Sequence, residues 1–235
     1  MIRGNQIKNC KATPDHVEIA HGIWGKIKDY LKGRRVRSKT KHVDGFMLKV
    51  PTEYLKLGKK VYLTCDVFFV NKVRFFITLS RKIDFTGTAH LKDRKIKKIF
   101  LAFLAVYKFY LRRGFRIKMV HADNDFGPMR PIINKLKKRP AINLAAANEH
   151  IPEIERGIRL LKERTRTVRS SLPFNKAPSV MIIYLVLSVS KFLTYFITNG
   201  GISKTMNPRA IMCGEWIDQE KHLCLQFGEY CQVYE

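Results

Sequence analysis

The chain has 235 residues, room for one large domain with extensions or two small ones, and its 45 Lys and Arg against 19 Asp and Glu leave a formal charge of +26. An apolar content of 46%, with 15 Phe and 9 Tyr, argues for a packed core and excludes wholesale disorder. The charge favours a polyanionic partner, nucleic acid first and an anionic membrane second.

At the N-terminus, residues 1–22 contain no apolar segment, so no secretory signal peptide is expected. The five cysteines, Cys10, Cys65, Cys213, Cys224 and Cys231, form no CxxC pair. That speaks against a disulfide framework or a zinc ribbon and for a reducing compartment. Residues 26–41 carry eight Lys and Arg against the single acid Asp29. They read either as an arm that lies along phosphates, with Arg34, Arg35 and Arg37 as contacts, or as a solvated tether.

VYLTCDVFFV (61–70) and VRFFITLS (73–80) are β-branched and aromatic runs split by Asn71-Lys72, the pattern of a hairpin with two buried strands. KIDFTGTAHL (82–91) adds a third strand, with Gly87 as a bulge or turn. A helix follows over 93–114, stopped by Gly114. The order continues as a strand at 115–123, a short helix at 127–138 entered through Pro128, a strand at 141–147, a long helix at 151–172 and another over 178–196. Strands joined by tight turns should pair antiparallel and those separated by helices parallel, which makes an α/β domain on a mixed five-stranded sheet. The apolar segments 99–111 and 180–197 are read as buried helices, because the first is too short to span a bilayer and Lys191 splits the second.

Three acids stand out. Asp66 is the only charge in VYLTCDVFFV, and a carboxylate in a strand buried on both faces costs several kcal/mol unless a cation meets it. Asp123 closes the strand RIKMVHAD, and Glu155 lies in the first turn of the long helix. Converging carboxylates can hold two divalent ions about 4 Å apart for in-line attack on a phosphodiester. Hard oxygen ligands would select Mg2+ or Mn2+ over zinc. Taken singly, an Asp at a strand end is an ordinary turn former, and an acid at a helix start complements the helix dipole.

The helix after Glu155 carries its own signal. At 100° per residue, Glu155, Arg159, Lys162, Arg166 and Arg169 form one stripe, and Ile154, Ile158, Leu161, Val168 and Leu172 form an apolar stripe a quarter-turn away. One face packs while the other presents cations in line with the acid, either to a DNA backbone or merely to solvent.

TCDVFFVN, VHADNDF and HIPEIERGIRLLKERTR together resemble the integrase segment of copia-type retrotransposon polyproteins, a likeness extended by KFLTYFITNGGISKTMNPRAIMCG and HLCLQFGEYCQVYE over roughly residues 55–235. The resemblance implies a ribonuclease H-like core (55–200) behind a basic N-terminal extension (1–54), with 201–235 beginning a small β module. It implies that Asp66, Asp123 and Glu155 are catalytic, metal-binding acids and that Arg159, Lys162 and Arg166 contact DNA. Further implications are a homo-oligomer that joins element DNA ends to target DNA, without small-molecule cofactor or membrane, in the nucleus after a cytoplasmic stage. The segment between the second and third acids, 124–154, is shorter than the family's, and Asn-Asp-Phe stands where Asn-Gly is usual. His16 and His21 have the His spacing of the family's zinc module, but no CxxC follows, so zinc is not expected. The alternative is a polyprotein remnant that binds nucleic acid without catalysis.

Overall fold

The computed structural model describes residues 7–25, 60–145, 151–198, 201–223 and 225–229. In chain order these form β1 (Ile7–Lys8), α1 (Pro14–Trp24), β2 (Lys60–Val70), β3 (Val73–Ser80), β4 (Thr86–Leu91), α2 (Ile96–Arg112), β5 (Arg116–Ala122), α3 (Arg130–Ile133), β6 (Ala141–Leu144), α4 (Pro152–Ser171), α5 (Ser179–Leu193), α6 (Pro208–Cys213), β7 (Ile217–Asp218) and α7 (Gln219–His222). Among these residues no helix is long and apolar enough to cross a membrane.

β2 to β6 make one mixed sheet in the order β4-β3-β2-β5-β6, with β2–β3 and β3–β4 antiparallel and β2–β5 and β5–β6 parallel. This is the expected α/β domain on a mixed five-stranded sheet, flanked by helices on both faces. The hairpin turns at Asn71 (φ 47°) and Lys72 (φ 67°), two left-handed residues whose twist matches the strands they join.

Strand alternation sorts the side chains into two cores. Val61, Leu63, Cys65, Ile117, Val120 and Ala122 pack with Ile99, Phe103, Tyr107 and Tyr110 of α2. Phe68, Phe75 and Ile77 pack with Ile154 and Leu161 of α4 and Ile182, Leu185, Val186 and Val189 of α5. Thr88 Oγ1 and Ser190 Oγ, 2.7 Å apart, tie β4 to α5.

Several elements differ from the sequence-based expectation. β4 begins at Thr86, because Lys82 (φ 69°) and Asp84 (φ 57°) turn the chain first. Gly87 sits in regular pairing with Thr78, where a Cβ would stand 2.8 Å from Thr78 Oγ1. Close approach, and not a bulge, explains the glycine. The helix expected over 127–138 is a 3-10 turn (Asn124–Met129) followed by the four-residue α3. Pro128 and Pro131 remove the amides a continuous helix would need. His16 belongs to a capping box with Thr13, whose backbone N–H donates to His16 Nδ1 at 3.2 Å.

The two ends of the described chain meet, with β1 parallel to β7. Beyond β7, residues 225–229 turn at Gly228 (φ 87°), and the Gln226 amide donates to Glu229 Oε2 at 2.8 Å. β7 is therefore the C-terminal β segment among the described residues, and it lies before HLCLQFG.

Candidate functional site

β2 and β5 run parallel with Thr64 opposite His121 and Cys65 opposite Ala122, so Asp66 and Asp123 are the next residues on adjacent strands. With side chains alternating, Thr64, Asp66, His121 and Asp123 share the sheet face on which α4 and α5 pack. α4 packs its first turn on the same face: Ile154 is buried in the core that includes Phe68, Phe75 and Ile77, and Glu155 follows it. A second anchor fixes that turn, since Arg81 Nε donates to Glu153 Oε2 at 2.5 Å while the Arg81 amide donates to the Tyr62 carbonyl at 2.8 Å.

The electrostatics record the convergence. The Asp66 carboxyl is pushed above the usual carboxylate range by burial first, and then by the negative charges of Asp123 and Glu155; the Val67 amide and Arg94 oppose the rise. Asp66 Oδ1 accepts from the Val67 N–H at 2.6 Å and Asp123 Oδ1 from the Asn124 N–H at 2.7 Å. Each aspartate therefore keeps a second oxygen for other partners. A half-buried carboxylate facing two like charges is in an unfavourable state that a bound cation relieves. Thr64, on the same face, buries a hydroxyl with no hydrogen-bond partner, the kind of atom that a water or an ion's ligand commonly satisfies.

As the side chains lie, no three His, Cys, Asp or Glu among the described residues are gathered closely enough to enclose one ion. The all-oxygen donor set fits Mg2+ or Mn2+, hard ions that complete their shells with water and substrate phosphate.

The surroundings add residues that sequence reasoning did not single out. Arg94 Nη2 donates to Asp125 Oδ2 at 2.9 Å, and the Arg94 guanidinium lies 5.9 Å from the Phe69 ring centroid. The second acid of HADNDF is thus an ion-pair partner. Asn143 Nδ2 lies 3.3 Å from His121 Nδ1, and the His121 pKa is lowered by burial first and then by Arg81, against the pull of Glu153. A neutral ring that accepts at Nδ1 fits both facts.

On α4, Arg159 is exposed and Lys162 and Arg166 are half-buried. Arg169 leaves the stripe, because its guanidinium donates to the carbonyls of Phe174 (2.6 Å) and Asn175 and closes the turn after the helix. Arg34, Arg35 and Arg37 lie outside the described residues.

Fold and site together define an α/β domain with Asp66 inside β2, Asp123 just past the end of the parallel neighbour β5 and Glu155 in the first turn of α4. No protein-family profile matches the chain, and no curated protein matches it. Among solved structures, the catalytic core domain of BIV integrase is similar in fold, at 13% identity and a TM-score of 0.48, over 65% of this chain and 93% of that one.

Proposed function

We propose that this chain is an integrase-like polynucleotidyl transferase of the copia retrotransposon type, which joins DNA ends to target DNA through Asp66, Asp123 and Glu155. The carrying observation is the register of β2 on β5, which sets Asp66 and Asp123 side by side on the sheet face that α4 covers, with Glu155 in the first turn of α4; the Asp66 carboxyl is raised by burial first and then by Asp123 and Glu155. A fold that keeps like charges together without a cation spends stability on them, which is characteristic of functional sites.

Two divalent ions, when bound, would activate the attacking water or 3′ hydroxyl and stabilise the leaving oxygen. Asp66 and Asp123 would hold the ions from β2 and from the end of β5, and Glu155 would complete the set from α4. Arg159, Lys162 and Arg166 continue from Glu155 as contacts for DNA phosphates, in a chain whose +26 charge draws nucleic acid from solution. The DNA partner, a homo-oligomeric state and action in the nucleus belong to the same proposal.

Strand transfer of labelled duplex ends in Mg2+ or Mn2+ tests it. The parent should yield product, and Asp66→Asn and Glu155→Gln should yield none while retaining salt-sensitive DNA binding. If all three proteins bind DNA and none joins it, the catalytic reading falls and a binding remnant takes its place.

A further inference from the structure

The acids are also approached from the side of the sheet away from α4. β5 ends at Ala122 while β2 continues to Val70, so past Cys65 the β5 side of β2 has no strand paired to it. The residues just before α2 come to this place. Arg94 Nη2 donates to Asp125 Oδ2 at 2.9 Å, and its guanidinium carbon lies 5.9 Å from the centroid of the Phe69 ring. Phe69 alternates with Val67, which packs in the core under α2. Asp125 stands two residues past Asp123, in the 3-10 turn that Asp123 caps, and the Arg94 charge is felt at Asp66.

As a structural clamp this pair is weak. The side chains of Arg94 and Asp125 are 53% and 71% exposed, and exposed ion pairs contribute little. A guanidinium has five N–H donors, of which only Nη2 meets a hydrogen-bond acceptor among the described residues. Lys92, Lys95, Lys97 and Lys98 are exposed around it. Asp93, the one acid in residues 92–98, accepts from the Lys95 amide at 3.0 Å. The first turn of α2 holds no acid, and cations at a helix start oppose the helix dipole. Helix stability therefore does not account for the cluster, whereas a polyanion from outside would.

We propose that Arg94, with the basic start of α2 behind it, is a second nucleic-acid contact of this site, taking a phosphate of the strand held at the acids in exchange for Asp125. The exchange is cheap because the pair is exposed, and favourable because a phosphodiester offers two oxygens to the parallel donors of a guanidinium. Phe69 keeps the guanidinium near the acids while its partner changes. This inference rests on the nucleic-acid reading of the preceding section and adds to the α4 contacts one from the other side of the acids.

The test is fluorescence anisotropy of the full chain with a labelled duplex lacking 3′ hydroxyls, in Mg2+, over a series of salt concentrations. Such a duplex cannot be joined, so failure of strand transfer leaves the measurement standing, whereas a parent that binds no DNA would sink both readings. Arg94→Gln should reduce the slope of log affinity against log salt by about 1. A contact of that slope that vanishes near about 1 M salt is worth about 15-fold at about 50 mM and about 4-fold at about 200 mM, which is the expected loss. Asp125→Asn breaks the same ion pair but frees the guanidinium, so it should tighten binding by roughly 2- to 5-fold, and that gain should diminish in the Arg94→Gln background. A clamp would make both substitutions act in the same direction. An unchanged slope in Arg94→Gln, weaker binding in Asp125→Asn, or an equal gain from Asp125→Asn in both backgrounds would overturn the proposal.

Discussion

Asp66→Asn should make the metal-free protein more stable while removing its response to metal. Asparagine has nearly the same shape and retains an oxygen to accept from the Val67 amide, 2.6 Å away in the parent. It lacks the charge that burial and the neighbours Asp123 and Glu155 disfavour. The sign follows from the direction of the shift. A carboxyl whose folded pKa lies above its unfolded value, about 3.9 for Asp, costs stability above the folded pKa. That cost declines as pH falls between the two values and is absent below both. The advantage of Asp66→Asn should therefore be full at neutral pH and vanish in acid.

In a chain of this length a gain of about 1 kcal/mol raises Tm by roughly 2–4 °C, well within reach of a thermal melt. Divalent metal should act in the opposite sense on the pair. Mg2+ or Mn2+ at about a hundred times its Kd stabilises the parent by about 2.7 kcal/mol, a rise of roughly 5–11 °C, and leaves Asp66→Asn nearly unmoved. The measurement is differential scanning fluorimetry of both proteins across pH, with and without metal. A variant that melts below the parent at neutral pH without metal, or that keeps the full metal response, would refute the reasoning.

Other consequences can be checked with the same proteins. Leu161→Ala, at a fully buried position, should cost about 2–5 kcal/mol by thermal or urea melts and spare the metal response. Ile154→Ala, also buried and one residue before Glu155, should cost a similar amount and also diminish that response. Lys162→Ala should weaken duplex binding about equally across sequences and reduce the slope of log affinity against log salt by about 1 in titrations by anisotropy. Glu215 accepts from Tyr195 Oη at 2.7 Å and from Arg209 Nη2 at 2.6 Å; burial alone would raise its pKa, but these partners hold it at about 2. Glu215→Ala leaves the buried Tyr195 hydroxyl unmatched, so a loss of about 1–3 kcal/mol is expected. Because that pKa is depressed, the difference should be full above the ordinary carboxylate range and shrink as pH falls toward 2.

The sheet was legible because its signals are local. Alternation and β-branching mark β2 and β3, and Asn71 tolerates the left-handed conformation that a two-residue turn demands. The helix of Glu155 was legible from its stripes. What escaped depends on distance in sequence. Arg94 looks like one more cation in a basic run, and only the fold brings it to Asp125 and Phe69. Arg169 fits the cationic stripe by angle, yet the chain returns beneath it and presents the Phe174 carbonyl. Gly87 looks like a turn until β3 is laid beside it and Thr78 Oγ1 fills the space a side chain would need. The Glu215 cluster joins groups from α5, α6 and α7, and no spacing rule anticipates it.

Each of the three acids directly follows a buried residue: Cys65 before Asp66, Ala122 before Asp123 and Ile154 before Glu155, which are 1%, 1% and 3% exposed. The first two belong to the core under α2, and the third belongs to the core on the opposite face of the sheet. The carboxylates are thereby held by apolar packing on both sides of the sheet and not by one another, which matters because their mutual interaction is repulsive. Close-packed cores resist displacement, so like charges can be kept together at a cost the two cores absorb; under the proposed function this is the preorganised state that charge stabilisation in catalysis requires. On this view the stability lost to the acids and the capacity to bind metal are one property. A substitution that relaxes the first should abolish the second.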